Sequence, residues 1–572
     1  MSTRRLEVIL ILALFGSALG LALPQANQNG AVEITLTDAT TSKPISGGTL
    51  VLQGPMIPVS TRTTQARVPP PSERTETTDK DGRAAFRNLS PGQYSVRAQK
   101  NGYVGPSQSG IGFPAFAAIG VLIASDQSPQ SLRLTLTRGA TISGTITDTN
   151  GAPVAGMRIS AGMIVYQNGR RMLVARSGAQ TDDRGTYRLF WFGPGEYHVY
   201  GDAPIGLLQS ANYARTFYPG TIDFAKSKPL TITGGEELTQ IDIILPKVTT
   251  YRVTGKILNL PAPPSGVVSL IPSFSYVSRD LNAVDMPGFM IPNRTRSSGG
   301  EFEIAGIPPG SWNLFAILPQ SALPGNMPRY MAGRVPIDIT DKDIQGVTIR
   351  LSSVDVKGQV VMPKSPNALP AGLSMQNIRV SLQPAEPMPQ ALMPAGMPQP
   401  LEPNGDFEFH GVPSGKYFVG LSTQVSIDDI RVGSRSIFDD GIITVGPAPP
   451  DRIRIIISRE STGVSGTVLG IAPETTVAEL SSTRVVLAPA PPRRQNRTLY
   501  RTSSVSNLNG SFFFFSVSPG NYQVFAIEGL PQGAELDPEV LARYEDRGRP
   551  ITVAAGSYAA NRVQVEWIRK TK

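Results

Sequence analysis

Only two histidines and no cysteine occur in the 572 residues, and this limits the chemistry that the side chains can perform. Zinc peptidase sites need histidine and carboxylate ligands held close together, and a Ser-His-Asp triad needs a histidine base. His198 and His410 stand in separate copies of a sequence repeat, each within a strand-like segment. Without cysteine, disulfides, thiolate nucleophiles and zinc–thiolate sites are excluded. We therefore predict that both histidines are structural and that the chain has no catalytic residue, bound metal or cofactor.

Acidic residues are clustered at two points where they could bind calcium, which prefers oxygen ligands. These segments are Asp79-Lys80-Asp81-Gly82 and Asp182-Asp183-Arg184-Gly185. The equivalent positions in the other copies read Ser298-Gly299-Gly300, Asn404-Gly405 and Asn509-Gly510. A position that accepts Asp, Gly or Asn favours turn formation, so we predict turns here rather than calcium sites.

The densest basic cluster consists of Arg493, Arg494, Arg497 and Arg501 with Tyr500. Nucleic acids and anionic glycans bind to such charge beside a stacking ring. Charges at the edge of a hairpin also prevent edge-to-edge pairing. We predict a solvated hairpin edge, and we expect no nucleic-acid partner.

Three methionines, Met388, Met393 and Met397, lie among prolines. Thioether sulfurs bind cuprous copper, but no cysteine or histidine stands beside them. The pattern is typical of a loop.

The histidines and the acidic clusters belong to a sequence motif of about sixteen residues, here called the signature, that occurs five times. The arginines and methionines lie between its copies. These copies turn on two glycines ten residues apart: Gly82 and Gly92, Gly185 and Gly195, Gly300 and Gly310, Gly405 and Gly415, Gly510 and Gly520. Apolar residues follow the first glycine at plus two, plus four and plus seven. An aromatic residue follows the second glycine at plus two: Tyr94, Tyr197, Trp312, Tyr417 and Tyr522. Because strand side chains alternate with period two, this aromatic column shares its register with the core, and we predict that it is buried rather than a sugar-stacking surface.

The second glycines recur at intervals of about 105 residues, the size of a β-sandwich domain and too long for a solenoid or propeller unit. We predict an all-β chain of five tandem seven-stranded Greek-key β-sandwiches, each opened and closed by an apolar strand. The predicted bounds are 30–137, 138–248, 249–352, 353–459 and 460–570, after a signal peptide at 1–26. With short linkers and domains roughly 35 Å across, five in line would reach about 170 Å.

The N-terminus has the features of a secretory signal. Arg4 and Arg5 precede the apolar run from Val8 to Leu23, and small residues follow near Ala22 and Ala26. This order is typical of a cleaved signal, with a retained membrane anchor as the alternative. Export of a cysteine-free chain indicates a bacterial envelope or secreted protein. We predict no transmembrane span in the mature chain.

The second copy resembles the carboxypeptidase regulatory-like domain family. The resemblance lies in Gly-Thr-Ile-Thr-Asp at 144–148, Gly-Ala-Pro-Val at 151–154, Asp-Arg-Gly-Thr-Tyr at 183–187 and Gly-Pro-Gly-Glu-Tyr at 193–197. It implies a transthyretin-like fold related to carbohydrate-binding-like folds. In the enzymes that give the family its name, catalysis belongs to a separate domain, which this sequence does not contain.

The sequence therefore predicts a non-enzymatic exported spacer or interaction scaffold at the cell envelope, with an unknown protein or polysaccharide partner. The alternative is a carbohydrate-binding protein that uses variable loops or domain junctions. Loop aromatics such as Tyr213, Phe217 and Tyr218 would then stack on the sugar.

Overall fold

The computed structural model describes residues 30–56, 72–105, 119–123, 130–167, 169–202, 214–261, 272–279, 300–320, 329–361, 377–389, 391–392, 396–421, 425–458, 462–472, 475, 482–505, 509–554 and 562–569. The predicted signal peptide lies outside these residues. Among the described helices, none is long and apolar enough to cross a bilayer.

The described chain is almost entirely β-structure, and its strands fall into five successive groups, here called repeats 1 to 5. Repeat 1 contains β1 (Gly30–Asp38), β2 (Thr49–Met56), β3 (Glu73–Thr77), β4 (Arg83–Leu89), β5 (Gly92–Gln99), β6 (Tyr103–Val104), β7 (Ile119–Ile123) and β8 (Gln130–Arg138). Repeat 2 contains β9 (Ala140–Asp148), β10 (Arg158–Gln167), β11 (Arg170–Gln180), β12 (Thr186–Phe192), β13 (Gly195–Asp202), β14 (Thr216–Phe217), β15 (Leu230–Ile232), β16 (Glu237–Leu238) and β17 (Ile243–Leu245). Repeat 3 contains β18 (Tyr251–Leu258), β19 (Ser273–Ser278), β20 (Glu301–Ile307), β21 (Gly310–Gln320), β22 (Arg329–Ile339) and β23 (Ile344–Arg350).

The last two repeats follow the same plan. Repeat 4 contains β24 (Val354–Val361), β25 (Arg379–Pro384), β26 (Gln399–Pro400), β27 (Asp406–Val412), β28 (Gly415–Leu421), β29 (Ile427–Val432), β30 (Arg435–Ser436), β31 (Ile442–Val445) and β32 (Ile453–Ile457). Repeat 5 contains β33 (Val464–Leu469), β34 (Thr483–Pro489), β35 (Arg501–Ser504), β36 (Ser511–Phe514), β37 (Gly520–Glu528), β38 (Arg549–Val553) and β39 (Arg562–Ile568).

Repeats 1 to 4 each contain two sheets, and in repeat 5 the two are joined into one seven-stranded sheet where β37 pairs with β39. The strand order around the opening strand is the same in all five. In the first sheet the opening strand lies between the first strand of the signature and the closing strand: β4-β1-β8, β12-β9-β17, β20-β18-β23, β27-β24-β32 and β36-β33-β39. In every repeat the opening strand pairs in parallel with the closing strand. The second strand of the signature belongs to the other sheet, as in β3-β2-β5-β7 and β26-β25-β28-β31. The predicted all-β tandem sandwich fold is therefore confirmed.

The prediction that the apolar positions of the signature face the core is also confirmed. The apolar residues four positions after the first glycine are buried in all five repeats: Phe86, Leu189, Ile304, Phe409 and Phe514. The first glycine adopts a left-handed φ, 75° at Gly185 and 74° at Gly510. A Cβ atom on Gly185 would lie 2.5 Å from the carbonyl oxygen of Ile146. This turn therefore needs glycine both for its conformation and for its close contact with the opening strand.

One element of the repeat was not predicted. The residue six positions after the first glycine also has a left-handed φ in all five repeats: Asn88, Trp191, Gly306, Gly411 and Ser516. In repeats 1 to 4 it falls where the pairing with the opening strand shifts by a β-bulge, such as between Leu189 and Phe192. The extra residue of the bulge moves the next core position from six to seven residues after the first glycine.

Helices are few in the described chain. The α-helix α1 (Pro538–Ala542) begins with Asp537 as N-cap, which accepts the N–H of Glu539 at 3.0 Å, and with Pro538 in the first turn. Short 3-10 helices occupy Phe224–Lys226, Arg493–Gln495, Arg497–Leu499, Ala534–Leu536 and Glu545–Arg547.

The chain divides into two compact units. One comprises residues 1–100 with 118–136, and the other comprises residues 101–117 with 137–572. The second unit thus contains repeats 2 to 5. A single buried cluster extends through repeats 3, 4 and 5, from Phe315 and Ala332 to Val485 and Trp567. Repeats 4 and 5 and a small part of repeat 3 therefore share one core, whereas repeat 2 and most of repeat 3 have cores of their own.

Within the second unit, repeat 2 contacts repeat 5. The turn between β10 and β11 meets the segment before α1, since a Cβ atom on Gly169 would lie 2.2 Å from the carbonyl oxygen of Leu536. Tyr166 packs against a cluster of repeat 5 that includes Phe525 and Leu541. Repeats 2 to 5 therefore do not lie in a straight line, because the second and the last of the five repeats are in contact. We call this contact the clasp.

Candidate functional site

Asp355, Glu408 and His410 are the one group in the described part of the chain whose side chains could together hold a metal ion. Asp355 lies on β24, and the other two lie on β27, which pairs with it. Glu408 and His410 are two residues apart, so their side chains leave the same face of the strand. The His410 Nδ1 atom is 3.2 Å from Asp355 Oδ2 and 3.6 Å from Glu408 Oε1. All three side chains are partly exposed.

Protein groups already satisfy the two carboxylates of this group. The Gly411 N–H donates to Asp355 Oδ1 at 3.1 Å, and the Lys357 ammonium lies 3.3 Å from Glu408 Oε1. Burial acts to raise the pKa of Asp355, but the Gly411 N–H and the His410 side chain lower it more, so this pKa lies below its ordinary value. A cation would have to displace Lys357 from Glu408. The arrangement is that of a surface ion-pair network, which sequence reasoning missed because Asp355 belongs to a different strand.

His198 lies on β13 in a different environment. Its Nδ1 atom is 2.8 Å from Ser227 Oγ, and its ring centroid is 4.6 Å from that of Phe224. Burial lowers the pKa of His198 more than nearby Glu196 raises it. Among the described residues no carboxylate or second histidine joins it in a group of potential ligands. His198 is thus held by a hydroxyl group and an aromatic ring of its own repeat.

The acidic turns are occupied by backbone hydrogen bonds. Asp182 Oδ1 accepts the N–H groups of Arg184 at 3.0 Å and Thr186 at 2.7 Å. Asp79 Oδ1 accepts the N–H groups of Asp81 and Arg83 in the same way, at 2.9 and 2.8 Å. The carboxylates therefore close the turn, as predicted from their replacement by Asn and Gly in other repeats.

The basic cluster is not a solvated hairpin edge, and that prediction is wrong. The guanidinium carbon of Arg497 lies 3.9 Å from the ring centroid of Phe418, and that of Arg493 lies 4.6 Å from the ring centroid of Phe438. Both rings belong to repeat 4. Burial and the neighbouring Arg170 lower the pKa of Arg497 to about 10. These arginines pack between repeats, where cation–π contact and burial stabilise them.

Arg501 is the most deeply buried member of this cluster, with only 5% of its surface exposed. Its guanidinium donates to the carbonyl oxygens of Val425 at 3.0 Å and Ser516 at 2.9 Å, which joins repeat 4 to repeat 5. It also donates to the carbonyl oxygens of Thr498 and Tyr500. The sequence could not distinguish this role from an exposed edge, since the partners are backbone atoms of distant segments.

The aromatic column is part of the core, as predicted. Tyr94, Tyr197, Tyr417 and Tyr522 are at most 4% exposed, and Trp312 is half-buried. Each ring donates a hydrogen bond to the carbonyl oxygen four residues earlier: to Ser90, Gly193, Pro308, Pro413 and Ser518, at 2.8–3.0 Å. The column therefore secures the turn between the two signature strands as well as filling the core.

Among the residues expected to bind sugar or to lie in a loop, Phe217 and Met388 are buried. Phe217 is 2% exposed and forms a small cluster with Leu173 and Tyr200, so its prediction as a sugar-stacking residue is wrong. Tyr218 is half-buried against the core of repeat 2, and Tyr213 lies outside the described residues. Met388 is buried beside Tyr417, Met397 is exposed, and Met393 lies outside the described residues.

Exposed aromatic residues occur instead on the outer face of the signature strand. Phe190 is 50% exposed and Trp191 is 68% exposed on β12 of repeat 2. Phe515, 61% exposed, stands in repeat 5 at the position equivalent to Phe190. The sequence could have indicated them, because the core positions lie two, four and seven residues after the first glycine. Large aromatic residues five or six residues after that glycine therefore point away from the core.

Comparisons with known proteins give information about the fold alone. The model of one family, described as SpaA: Prealbumin-like fold domain, matches residues 30–109, which belong to repeat 1. Prealbumin is another name for transthyretin, so the match supports the transthyretin-like fold but not the carboxypeptidase regulatory-like designation. No curated protein matches the chain.

Several solved structures show remote similarity. The minor pilin GBS52 of Streptococcus agalactiae is 16% identical, with 41% of this chain and 99% of that chain covered and a TM-score of 0.22. BcpA, the major pilin subunit of Bacillus cereus, is 9% identical, with 75% and 99% covered and a TM-score of 0.14. The Bacillus anthracis TIE protein is 13% identical, with 56% and 51% covered and a TM-score of 0.16, so this chain spans about half of its length. Superpositions this poor carry no argument about function.

Proposed function

We propose that the protein is a non-enzymatic, exported spacer and interaction scaffold whose repeats bear tension along the chain. The observation that carries this proposal is the parallel pairing of the opening and closing strands in each repeat. The finer family assignment, carboxypeptidase regulatory-like, and the five domain bounds given above are part of the same proposal.

Parallel pairing determines how force enters and leaves a repeat. In repeat 1 the ladder extends from Val32 opposite Gln130 to Asp38 opposite Leu136. Because the two strands run in the same direction, the chain enters at one end of the sheet and leaves at the opposite end. Tension on the chain then slides the two strands past each other. The hydrogen bonds of the ladder resist this shear together, whereas antiparallel terminal strands would open one bond at a time.

The side chains that could perform chemistry support a role without catalysis. His198 is held by Ser227 and Phe224, and His410 lies within an ion-pair network that includes Lys357. The basic start and apolar run of residues 4–23 support export, to the periplasm or the outer surface. A scaffold there would meet protein or polysaccharide partners.

Single-molecule pulling on the mature chain, residues 27–572, tests the proposal. We expect repeats to resist force until they yield abruptly, with each released repeat of roughly 100 residues adding about 350 Å of extended chain. Surface labelling of whole cells would test the location.

Two proline variants of repeat 4 sharpen this test. Gln359→Pro removes the N–H of β24 that faces the closing strand β32, because the next N–H, that of Val360, donates to Gly405 on the opposite side. Lys416→Pro removes an N–H from β28 in the other sheet. Gln359 is half-buried and Lys416 is exposed, and both lie in strands with neighbours on both sides. We expect Gln359→Pro to lower the yield force of one repeat much more than Lys416→Pro does. Equal effects at matched thermal stability, or gradual yielding at low force throughout, would refute the tension-bearing role.

A further inference from the structure

Trp191 has a backbone conformation that its residue type disfavours. Its φ is 65°, in the left-handed region, where a bulky side chain meets steric conflict. The equivalent bulge position holds Gly306, Gly411, Asn88 and Ser516, which are smaller residues. Glycine and asparagine are the types that tolerate this conformation best. A bulky residue holds this conformation in repeat 2 alone among the five, and such strain is a reason to look for function there.

Burial does not offset this strain. The Trp191 side chain and the adjacent Phe190 remain 68% and 50% exposed. Gly139 passes beside the indole, since a Cβ atom on it would lie 3.1 Å from Trp191 Cα and 3.3 Å from Trp191 Cδ1. The indole is therefore exposed to solvent, and the residue beside it, Gly139, has no side chain to cover it.

Polar groups lie near Phe190 on the outer face of the sheet. The guanidinium carbon of Arg188 lies 5.7 Å from the ring centroid of Phe190, and Arg188 Nη2 is 3.3 Å from Glu237 Oε1. Ser143 stands opposite Arg188 in the pairing of β12 with β9. The surface thus combines two apolar planes with a hydroxyl and a charge-neutral pair of donor and acceptor groups.

We propose that Phe190 and Trp191 form a binding site for a β-linked pyranose chain. Such rings expose flat faces of axial C–H groups, which stack on aromatic planes, and their equatorial hydroxyls reach the polar groups at the rim. The balance of Arg188 by Glu237 favours a neutral saccharide. This site is distinct from the loop residues considered from the sequence.

The size of the surface favours a saccharide over a protein. A fully exposed aromatic side chain offers roughly 150–250 Å², so the two rings leave about 200–300 Å² accessible. A specific protein interface needs about 800 Å² from each partner. One or two sugar rings match the available area.

Tryptophan fluorescence of the full mature chain tests this proposal directly. The chain has three tryptophans, and Trp312 is half-buried and Trp567 is 7% exposed. Trp191 therefore reports on its own surface. We expect cellohexaose or chitohexaose to shift or quench its emission saturably, and the α-linked maltohexaose, whose chain is curved, to bind at least tenfold more weakly.

Variants separate binding from folding. Trp191→Gly removes the ring and relieves the strain, so we expect an intact fold by circular dichroism and at least a tenfold loss of affinity by calorimetry. Phe190→Ala should weaken binding without touching the strained residue. Phe515→Ala, at the equivalent position of repeat 5, is the matched control and should leave binding unchanged. Absence of binding by the wild type to both β-linked probes, or retention of affinity in Trp191→Gly, would overturn the proposal. Neither result bears on the response of the chain to tension.

Discussion

A Cβ atom on Gly169 would lie 2.2 Å from the carbonyl oxygen of Leu536, although the two residues belong to the second and fifth repeats. The reverse contact is nearly as close, since a Cβ on Gly533 would lie 2.7 Å from the carbonyl oxygen of Tyr166. Both glycines have left-handed φ angles, 71° and 88°. The clasp therefore depends on two backbones that approach each other without side chains between them.

Gly169→Val should open the clasp. The new side chain meets the Leu536 backbone, which cannot move aside as a flexible side chain can, so we expect a larger radius of gyration by small-angle scattering. Gly151→Val is the matched control, because Gly151 has a similar φ of 80° in the same repeat but nothing within 4 Å of its Cβ position. It should cost about 1–2 kcal/mol of local strain and leave the scattering unchanged. Equal scattering from both variants would contradict the clasp.

Arg501→Met should destabilise repeats 4 and 5 together. The guanidinium satisfies backbone carbonyls from both repeats, and its loss leaves these buried acceptors unpaired, at a cost of about 3–5 kcal/mol. Thermal unfolding followed by calorimetry and hydrogen exchange would reveal which segments lose protection. Arg435→Ala, at an exposed position of repeat 4, provides the control and should change stability by less than about 0.5 kcal/mol. Loss of protection confined to repeat 5 would argue against the shared core.

The stability of repeat 2 should depend on His198 below neutral pH. Its folded pKa is lowered by burial, whereas the unfolded chain titrates near 6.5. As the pH falls below about 6.5, the unfolded state binds a proton that the folded ring resists, so stability is retained above this pH and declines below it. Urea unfolding between pH 8 and 5, monitored by Trp191 fluorescence, measures this decline. His198→Gln should show a shallower pH dependence, and an identical slope would exclude the effect.

Tyr417→Phe should cost about 1 kcal/mol, the usual contribution of a hydrogen bond, because the Pro413 carbonyl then lacks its donor at 2.8 Å. Tyr522→Phe should behave alike through Ser518, also at 2.8 Å. The half-buried Tyr251 lies on an opening strand outside the turn, and Tyr251→Phe serves as the comparison. Denaturant midpoints give the three values. Equal small losses at all three positions would show that the ring donors do not secure the turn.

The sequence predicted those features of the fold that depend on neighbouring residues. Period-two alternation and the spacing of Gly405 and Gly415 determine which faces are buried, and both act within one copy of the repeat. The hydrogen bond of Tyr417 to Pro413 is equally local and could have been inferred from the constant four-residue separation. The bulge at plus six was not predicted, although the extra residue between two apolar positions is present in every copy of the sequence.

Contacts between repeats could not be predicted in this way. Arg501 binds carbonyl oxygens, which every residue possesses, so its partners leave no pattern in the sequence. The contact of Gly169 with Leu536 joins a hairpin turn to a segment several hundred residues later, and either glycine alone reads as an ordinary turn residue. Asp355 and His410 meet only because β24 pairs with β27. The wrong prediction for the arginine cluster depends on these same distant contacts.

The clasp also fixes the number of repeats. In an open array of similar units, one copy can be added or deleted and the remaining junctions stay as they were. Here a deletion of repeat 3 or repeat 4 would change the path between Gly169 and Leu536, and the two backbones would no longer meet. The number of repeats in this part of the chain is therefore set by the contact that closes it. If a repeat were added or lost, the second and last repeats would have to pack against other surfaces.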